Sequence, residues 1–386
     1  MMAEPKDGAA FRLYTLHSQK GGVGKTSLAI AIAGIEALLN GRKVLLLDAD
    51  MTGTCVADAL GRQDHRESSY RYLNDMLLAS PDDFLNLTRP GRAKTTRGRW
   101  AKHILSQSVG SLAKPTFDVI ASNPWLQQVR RIIPSLAQEC HLHHYAGRLQ
   151  DLLLTAKDLG YEVVIIDLPP GMFGLSLAAF GVAADGLLEE EALDEAKKDA
   201  SPKIECFPIA VTTTDAVDYK ALFPTVLQLE DEICQQWRED DDAREGKDLA
   251  EKVKQGAERL CEVWFNKAPT SDAITLVGGA YDAVLKLAKK IPDSPNGPEP
   301  KKENWLGRIE ARREALSDPG AVAMPFVGDF RTERILQAVR LHSIEKGRER
   351  DDGRAATDEM FAWVAAVKRM MDSLGCPQAA SGGAKK

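Results

Sequence analysis

The sequence predicts an α/β domain, a doubly wound and mostly parallel sheet with helices on both faces. Three observations point there. Short β-branched and leucine-rich runs recur along the 386 residues. Several of them, VLLL and EVVIID among them, are continuously apolar rather than alternating, which suits strands covered on both faces. Each run is followed by a turn and a helical stretch, the alternation of a parallel sheet between two helix layers.

The first expected strand, 12–17, leads into Lys20-Gly21-Gly22-Val23-Gly24-Lys25-Thr26-Ser27 and then an apolar helix over 28–39. Strand, glycine loop and helix is the context of a phosphate cradle. Glycines let backbone N–H groups approach phosphate oxygens, and the helix N-terminus adds a positive dipole end. Lys25 can reach the β- and γ-phosphates and the Thr26 hydroxyl can ligate Mg²⁺. Lys20, five residues before Lys25, is not required by a simple cradle.

The second strand, 43–48, ends in Asp48, with Asp50 two residues on. Carboxylates at the carboxyl end of a parallel strand face the crevice where such sheets bind ligands, so they can orient water or hold hydrated Mg²⁺. A polar segment follows over 62–110, in which Arg89, Arg92, Lys94, Arg97, Arg99 and Lys102 occur without an intervening acid. Such a run reads as a solvated loop, with phosphate-backbone contact as the other reading. After a strand at 117–121, Cys140, His141, His143 and His144 cluster on a helix, and with no second ligand pair at metal spacing they read as solvated histidines.

The strand 162–168 delivers Asp167 to the sheet edge, and Pro169, Pro170 and Gly171 shape the loop beyond it. Strands are expected again at 206–212, 261–266 and 321–327. Asn266 closes the second of these, and its amide offers donor and acceptor together. Charged stretches at 187–203 and 230–254 read as polar helix faces or excursions, and the Pro- and Asn-rich 291–304 as a long loop. Met360, Trp363, Val364, Val367, Met371 and Leu374 form an apolar stripe at helical spacing. Its polar side lacks a strongly basic face, so it is expected to pack rather than lie on a membrane.

These motifs resemble the ParA/MinD family of deviant Walker A ATPases, whose signature is KGGxGK[ST]. The resemblance is specific over 12–59 and 117–180 and thinner over 207–340. It implies a P-loop NTPase fold, ATP and Mg²⁺ as ligands, and a role for Lys20 across a dimer interface on the partner's nucleotide. It also implies water positioning by Asp50, Mg²⁺ held by Thr26 and Asp167 with Asp48 nearby, a γ-phosphate-sensing loop at 169–171, and a base pocket touched by Asn266 and Pro325. One domain over 1–375 is expected, with insertions at about 62–112, 187–203, 230–256 and 285–318 and a disordered tail over 376–386.

Composition narrows the function. Hydrophobic residues at 44% and charged residues at 27% are the balance of a chain that buries a core. A formal net charge of -6 means that non-specific DNA contact would need a local patch. There is no leader-like start and no run near the ~20 apolar residues that cross a bilayer, so the expected location is cytoplasmic. The six cysteines form no CxxC pair, so no iron–sulfur cluster is expected, although Asp167-Leu-Pro-Pro-Gly leans toward the Mrp scaffold branch. The leading expectation is a slow, Mg²⁺-dependent ATPase that dimerises with ATP and positions or regulates a protein partner or cargo. The alternatives are an Mrp-like assembly factor and a nucleotide-sensing interaction module that does not turn over.

Overall fold

The computed structural model describes residues 10–51, 56–61, 70–88, 99–107, 117–123, 142–196, 204–239, 244–255, 258–268, 273–290, 302–314, 323–325, 327, 331–345 and 359–374. In chain order the elements are β1 (Phe11–His17), α1 (Lys25–Leu38), β2 (Val44–Asp48), α2 (Val56–Ala59), α3 (Leu73–Leu77), α4 (Pro81–Thr88), β3 (Leu105–Gln107) and β4 (Phe117–Ile120). Then come α5 (Leu142–Asp158), β5 (Val163–Asp167), α6 (Leu175–Ala196), β6 (Ile204–Thr213), α7 (Ala216–Glu239) and α8 (Arg244–Lys254). Last are β7 (Glu262–Ala268), α9 (Ala273–Ala288), α10 (Lys302–Glu314), β8 (Ala323–Pro325), α11 (Thr332–Glu345) and α12 (Glu359–Leu374).

The eight strands make one sheet in the order β3-β4-β2-β5-β1-β6-β7-β8. Every neighbouring pair is parallel except β3 with β4. The continuously apolar runs sit where burial on both faces requires them: β2 and β5 are buried along their whole length. One helix layer, containing α1, α11 and α12, packs Ile30, Ile335, Val339 and Trp363 against Leu46, Val163 and Ile165. The opposite layer packs Leu149, Leu152 and Ala179 against Leu45, Val164 and Ile166. Beyond β6, helices α7 to α10 surround Phe223, Phe265 and Tyr281 in a third apolar cluster.

All seven expected strands occur, with ends shifted by a few residues at most. Local pattern did not announce β3, a three-residue strand whose edge position leaves Ser106 exposed. It pairs antiparallel to β4, and Ser106 Oγ donates to Asp118 Oδ1 at 2.7 Å. The expected apolar stripe near the C-terminus packs inside: Met360, Trp363, Val364, Val367 and Met371 are buried on α12. Among the described residues no helix is long and apolar enough to cross a membrane. The basic run over 89–98 lies outside the described residues, as do Cys140 and His141.

In the strand order, β1 lies between β5 and β6, so the chain reverses its direction of growth beside it. Crevices at such reversals, at the carboxyl ends of parallel strands, are where open α/β sheets bind ligands. The ends of β1, β2 and β5 carry the residues described next.

Candidate nucleotide site

The loop after β1 has the backbone of a phosphate cradle. Gly22 and Gly24 adopt φ of 77° and 93°, a left-handed conformation that side-chain-bearing residues rarely take. Gly24 caps α1, whose first turn holds no acidic residue to offset the positive helix end. Thr26 and Ser27 lie in that first turn and are half-buried. Lys25 is buried, and its Nζ donates to Ser18 Oγ at 2.7 Å. Burial lowers the Lys25 pKa, while the nearby Asp167 and Asp50 act the other way.

Asp48 and Asp167 are register partners at the ends of β2 and β5, and both are fully buried. The Thr26 hydroxyl donates to Asp167 Oδ2 at 2.6 Å. Asp48 Oδ2 accepts from the Val56 N–H at 2.8 Å, the Ser122 N–H at 3.1 Å and the Ser122 hydroxyl at 2.8 Å. The other oxygen of each carboxylate accepts no hydrogen bond among the described residues. Burial pushes Asp48 up to about 7, with the Asp167 charge adding to it. Asp167 rises to about 6 by burial, against the pull of Lys25 and the Thr26 hydrogen bond. Two buried carboxylate oxygens without donors and an adjacent hydroxyl are the hard oxygen set that suits Mg²⁺. Asp48 has a second task that the sequence did not suggest. It fastens the chain at Val56, beyond the loop that carries the half-buried Asp50, to the end of β4.

The loop after β5 is tied back to the cradle by the Gly171 N–H, which donates to the Ser18 carbonyl at 2.8 Å. Gly171 has φ of 89°, a left-handed backbone that favours glycine, and a Cβ there would lie 2.1 Å from the Phe173 ring, which would have to move. Phe173 itself is exposed.

Lys20 is 59% exposed at its side chain. It is nevertheless held in its own chain: Nζ lies 2.8 Å from Asp218 Oδ1 on the first turn of α7. That hydrogen bond and the Asp218 charge raise the Lys20 pKa. Asp218 also accepts from the Thr213 hydroxyl at 2.6 Å, and although burial acts to raise it, these donors bring it below its ordinary value.

Asn266, expected against an adenine edge, has its carboxamide fully buried beneath the glycine loop. Nδ2 donates to the Val23 carbonyl at 2.8 Å, and Oδ1 accepts from the Lys267 N–H at 2.9 Å and the Trp363 indole N–H at 3.0 Å. A Cβ at Gly24 would lie 2.2 Å from Nδ2, so the loop and the carboxamide are in close contact. Asn266 thus supports the loop from below. Lys267 assists, donating from Nζ to the Gly22 carbonyl at 2.7 Å. Pro325, half-buried at the end of β8, lies beside Ala268 of β7.

Sequence reasoning missed Ser18, Ser122, Asp218 and His17. His17 is buried between the Ser176 and Thr15 hydroxyls at 2.9 Å each, which ties β1 to the start of α6, and burial lowers its pKa to about 3. A usable signal was present for three of them. Ser18, Ser122 and His17 are polar residues at the carboxyl ends of parallel strands, the same position that singled out Asp48 and Asp167.

Comparison with known proteins agrees with this geometry. Residues 14–277 match the sequence model of the family described as the CobQ/CobB/MinD/ParA nucleotide binding domain. The chromosome partitioning proteins ParA of two strains of Caulobacter vibrioides are each 29% identical over 178 residues, 46% of this chain and 54% of theirs. The match thus spans about half the length of these curated relatives. Among solved structures, a Cyanothece McdA variant in complex with ATP is 15% identical with a TM-score of 0.47, covering 96% of this chain and 99% of that one. A ParA family ATPase from Chlorobium tepidum TLS is 16% identical with a TM-score of 0.45, covering 95% and 100%. MinD from Pyrococcus horikoshii OT3, complexed with Mg-ADP, is 16% identical with a TM-score of 0.37, covering 87% and 98%. With two thirds of its length inside the family's sequence model, and a glycine loop, buried carboxylates and mostly parallel sheet to match, this chain belongs to the CobQ/CobB/MinD/ParA nucleotide-binding family.

Proposed function

We propose that the chain is a Mg²⁺-dependent ATPase that works as an ATP-controlled dimeric switch, positioning or regulating a partner. The observation that carries this reading is the pair of lysines in one glycine loop. Lys25 is buried toward Asp167 and Asp50, while Lys20 projects outward. Only the first is needed by a nucleotide bound in the same chain.

In this reading the N–H groups of Gly21, Gly22, Val23 and Gly24 and the start of α1 at Lys25, Thr26 and Ser27 bind the β- and γ-phosphates. Lys25 neutralises charge that develops on them. Asp167 and Thr26, with the remaining oxygen of Asp48, would hold Mg²⁺, which when bound supplies charge neutralisation on the phosphate oxygens. Asp50 orients the attacking water. The chemistry is mostly positioning and electrostatic stabilisation. Lys20 exchanges Asp218 for the partner's phosphates when two copies meet, so dimer formation competes with an ion pair inside each monomer. Chromosome partitioning by the Caulobacter relatives, as their name has it, makes DNA partition or cargo placement the process in which such a switch would serve. DNA contact would then fall to a local basic patch, and the setting would be cytoplasmic.

Size-exclusion chromatography with light scattering tests this. With Mg²⁺ and ATP the wild-type chain should shift to twice its monomer mass, and Lys20→Ala should bind ATP yet stay monomeric. Asp50→Ala should accumulate the ATP-bound dimer, with phosphate release reduced on the order of 10²-fold. Unaltered dimerisation and turnover in Lys20→Ala would remove the role in trans. Zero phosphate release under all conditions would favour a nucleotide-sensing module.

A further inference from the structure

Among the described residues, Trp363 of α12 is linked to the glycine loop through the Asn266 carboxamide. α12 packs on α1, and its Trp363, fully buried, reaches past that contact to donate its indole N–H to Asn266 Oδ1 at 3.0 Å. Asn266 is 97 residues away in sequence, at the end of β7. The Lys267 N–H donates to the same oxygen at 2.9 Å. With two donors converging on Oδ1, the carboxamide has one satisfied orientation, and it turns Nδ2 toward the Val23 carbonyl at 2.8 Å. The reverse orientation would set two acceptor oxygens face to face and two donors against Nδ2.

The consequence reaches the phosphate side. In a trans peptide the C=O of one residue and the N–H of the next point in opposite directions. Asn266 draws the Val23 carbonyl outward and Lys267 Nζ draws the Gly22 carbonyl outward, the latter at 2.7 Å. The N–H groups of Gly24 and Val23 are thereby aimed to the opposite side, the side of the cradle. The left-handed φ values of Gly22 and Gly24 permit this alternation of the peptide planes.

We propose that Trp363 is a positioning residue for nucleotide binding: its indole N–H fixes the Asn266 carboxamide, which orients the Val23 and Gly24 peptide for phosphate, so that α12 and the glycine loop are energetically coupled. This rests on the nucleotide reading above and adds to it a residue outside the site. The coupling is reciprocal: nucleotide tightens α12, and whatever disturbs α12 weakens nucleotide binding.

Calorimetric titration of Mg²⁺–ATP into the full chain tests the proposal. Trp363→Phe keeps an aromatic ring and removes the N–H together with part of a fully buried side chain, so the hydrogen-bond share is read from the cycle with Asn266→Ala. The expected loss is about fivefold in affinity, the worth of one net hydrogen bond. Asn266→Ala should lose at least about tenfold. Adding Trp363→Phe to Asn266→Ala should then cost nothing further, because the indole has lost the group through which it acts. If Trp363 contributed by packing alone, the two losses would multiply, and that result overturns the proposal, as does unchanged affinity in Trp363→Phe. A second readout needs no variant. Hydrogen exchange in peptides covering 359–374 should slow when Mg²⁺–ATP is added to the wild-type chain, and unchanged exchange there also overturns it. Absence of ATP binding by the wild type would sink the nucleotide reading itself, an outcome distinct from binding that is indifferent to Trp363.

Discussion

Glu230 on α7 and Asp167 at the end of β5 are both fully buried carboxylates, and their surroundings differ in the one respect that separates structure from function. Glu230 is surrounded by donors. Arg312 donates to Oε1 at 2.6 Å, Arg308 pairs with Oε2, and the Leu260 and Cys261 N–H groups add 3.1 and 3.3 Å contacts. Arg308 continues to Asp231 at 2.6 Å, which also accepts from the Trp305 indole at 2.6 Å. Burial acts to raise Glu230, yet the two guanidinium groups bring its pKa below the ordinary value. Among the described residues Asp167 has one side-chain donor, Thr26, and keeps an oxygen with none; it stands raised at about 6. Charge neutralised by the chain itself fastens α10 to α7. Charge left over at the strand ends would, in the proposed reading, attract a cation from outside.

The comparison can be broken most forcefully at Glu230. Glu230→Ala would strand Arg308 and Arg312 in the interior, and removing one member of a buried ion pair costs about 3–5 kcal/mol. A urea titration should show that loss. At Asp167 the signs reverse: Asp167→Asn should reduce Mg²⁺-dependent phosphate release by about 10²–10³-fold. The ligand-free protein should unfold at the same urea concentration or higher, since an underpaired buried charge has gone. A large loss of stability there would erase the distinction.

Acidification sharpens the contrast further. Carboxyls whose folded pKa is raised destabilise the fold fully above that pKa, so the cost of Asp48 and Asp167 shrinks as pH falls through about 7 and about 6. His17, buried neutral at about 3, acts in the other direction. Its contribution is whole above about 6.5 and declines as pH falls toward 3, because only the unfolded chain takes up the proton. From about pH 8 to 6 the ligand-free stability should therefore rise, while affinity for Mg²⁺–ATP should fall as the same carboxyls protonate. Parallel urea and calorimetric titrations would expose these opposite slopes, and Asp167→Asn should lessen both, leaving the share of Asp48. The smallest effect is expected at the rim. Asp218→Asn frees Lys20, and because the lysine end of the pair is exposed the ATP-dependent dimer should gain no more than about threefold in affinity by light scattering.

Much of this was readable from local pattern, and the limits have a physical cause. β2 and β5 are continuous apolar runs ending in aspartate, so both their burial and the placement of Asp48 and Asp167 follow from neighbouring residues alone. The glycine loop is equally local, since left-handed backbone at Gly22 and Gly24 and a lysine starting α1 are written within eight residues. What escaped depends on partners far along the chain. The tie between Asn266 and Trp363 spans 97 residues. Asp218 meets Lys20 across 198 residues. The stretch from 230 onward looked like a solvated charge run because Arg308 and Arg312 lie about eighty residues downstream. β3 is three residues long, too short for any periodicity.

The central claim is that the underpaired carboxylates beside the glycine loop form a site for Mg²⁺ and ATP together. Calorimetric titration of ATP at about pH 8, once with Mg²⁺ and once with EDTA, tests it most directly. The account predicts one ATP per chain, bound at least about tenfold more tightly with Mg²⁺. ATP binding that ignores the metal, or no binding in either titration, would contradict it.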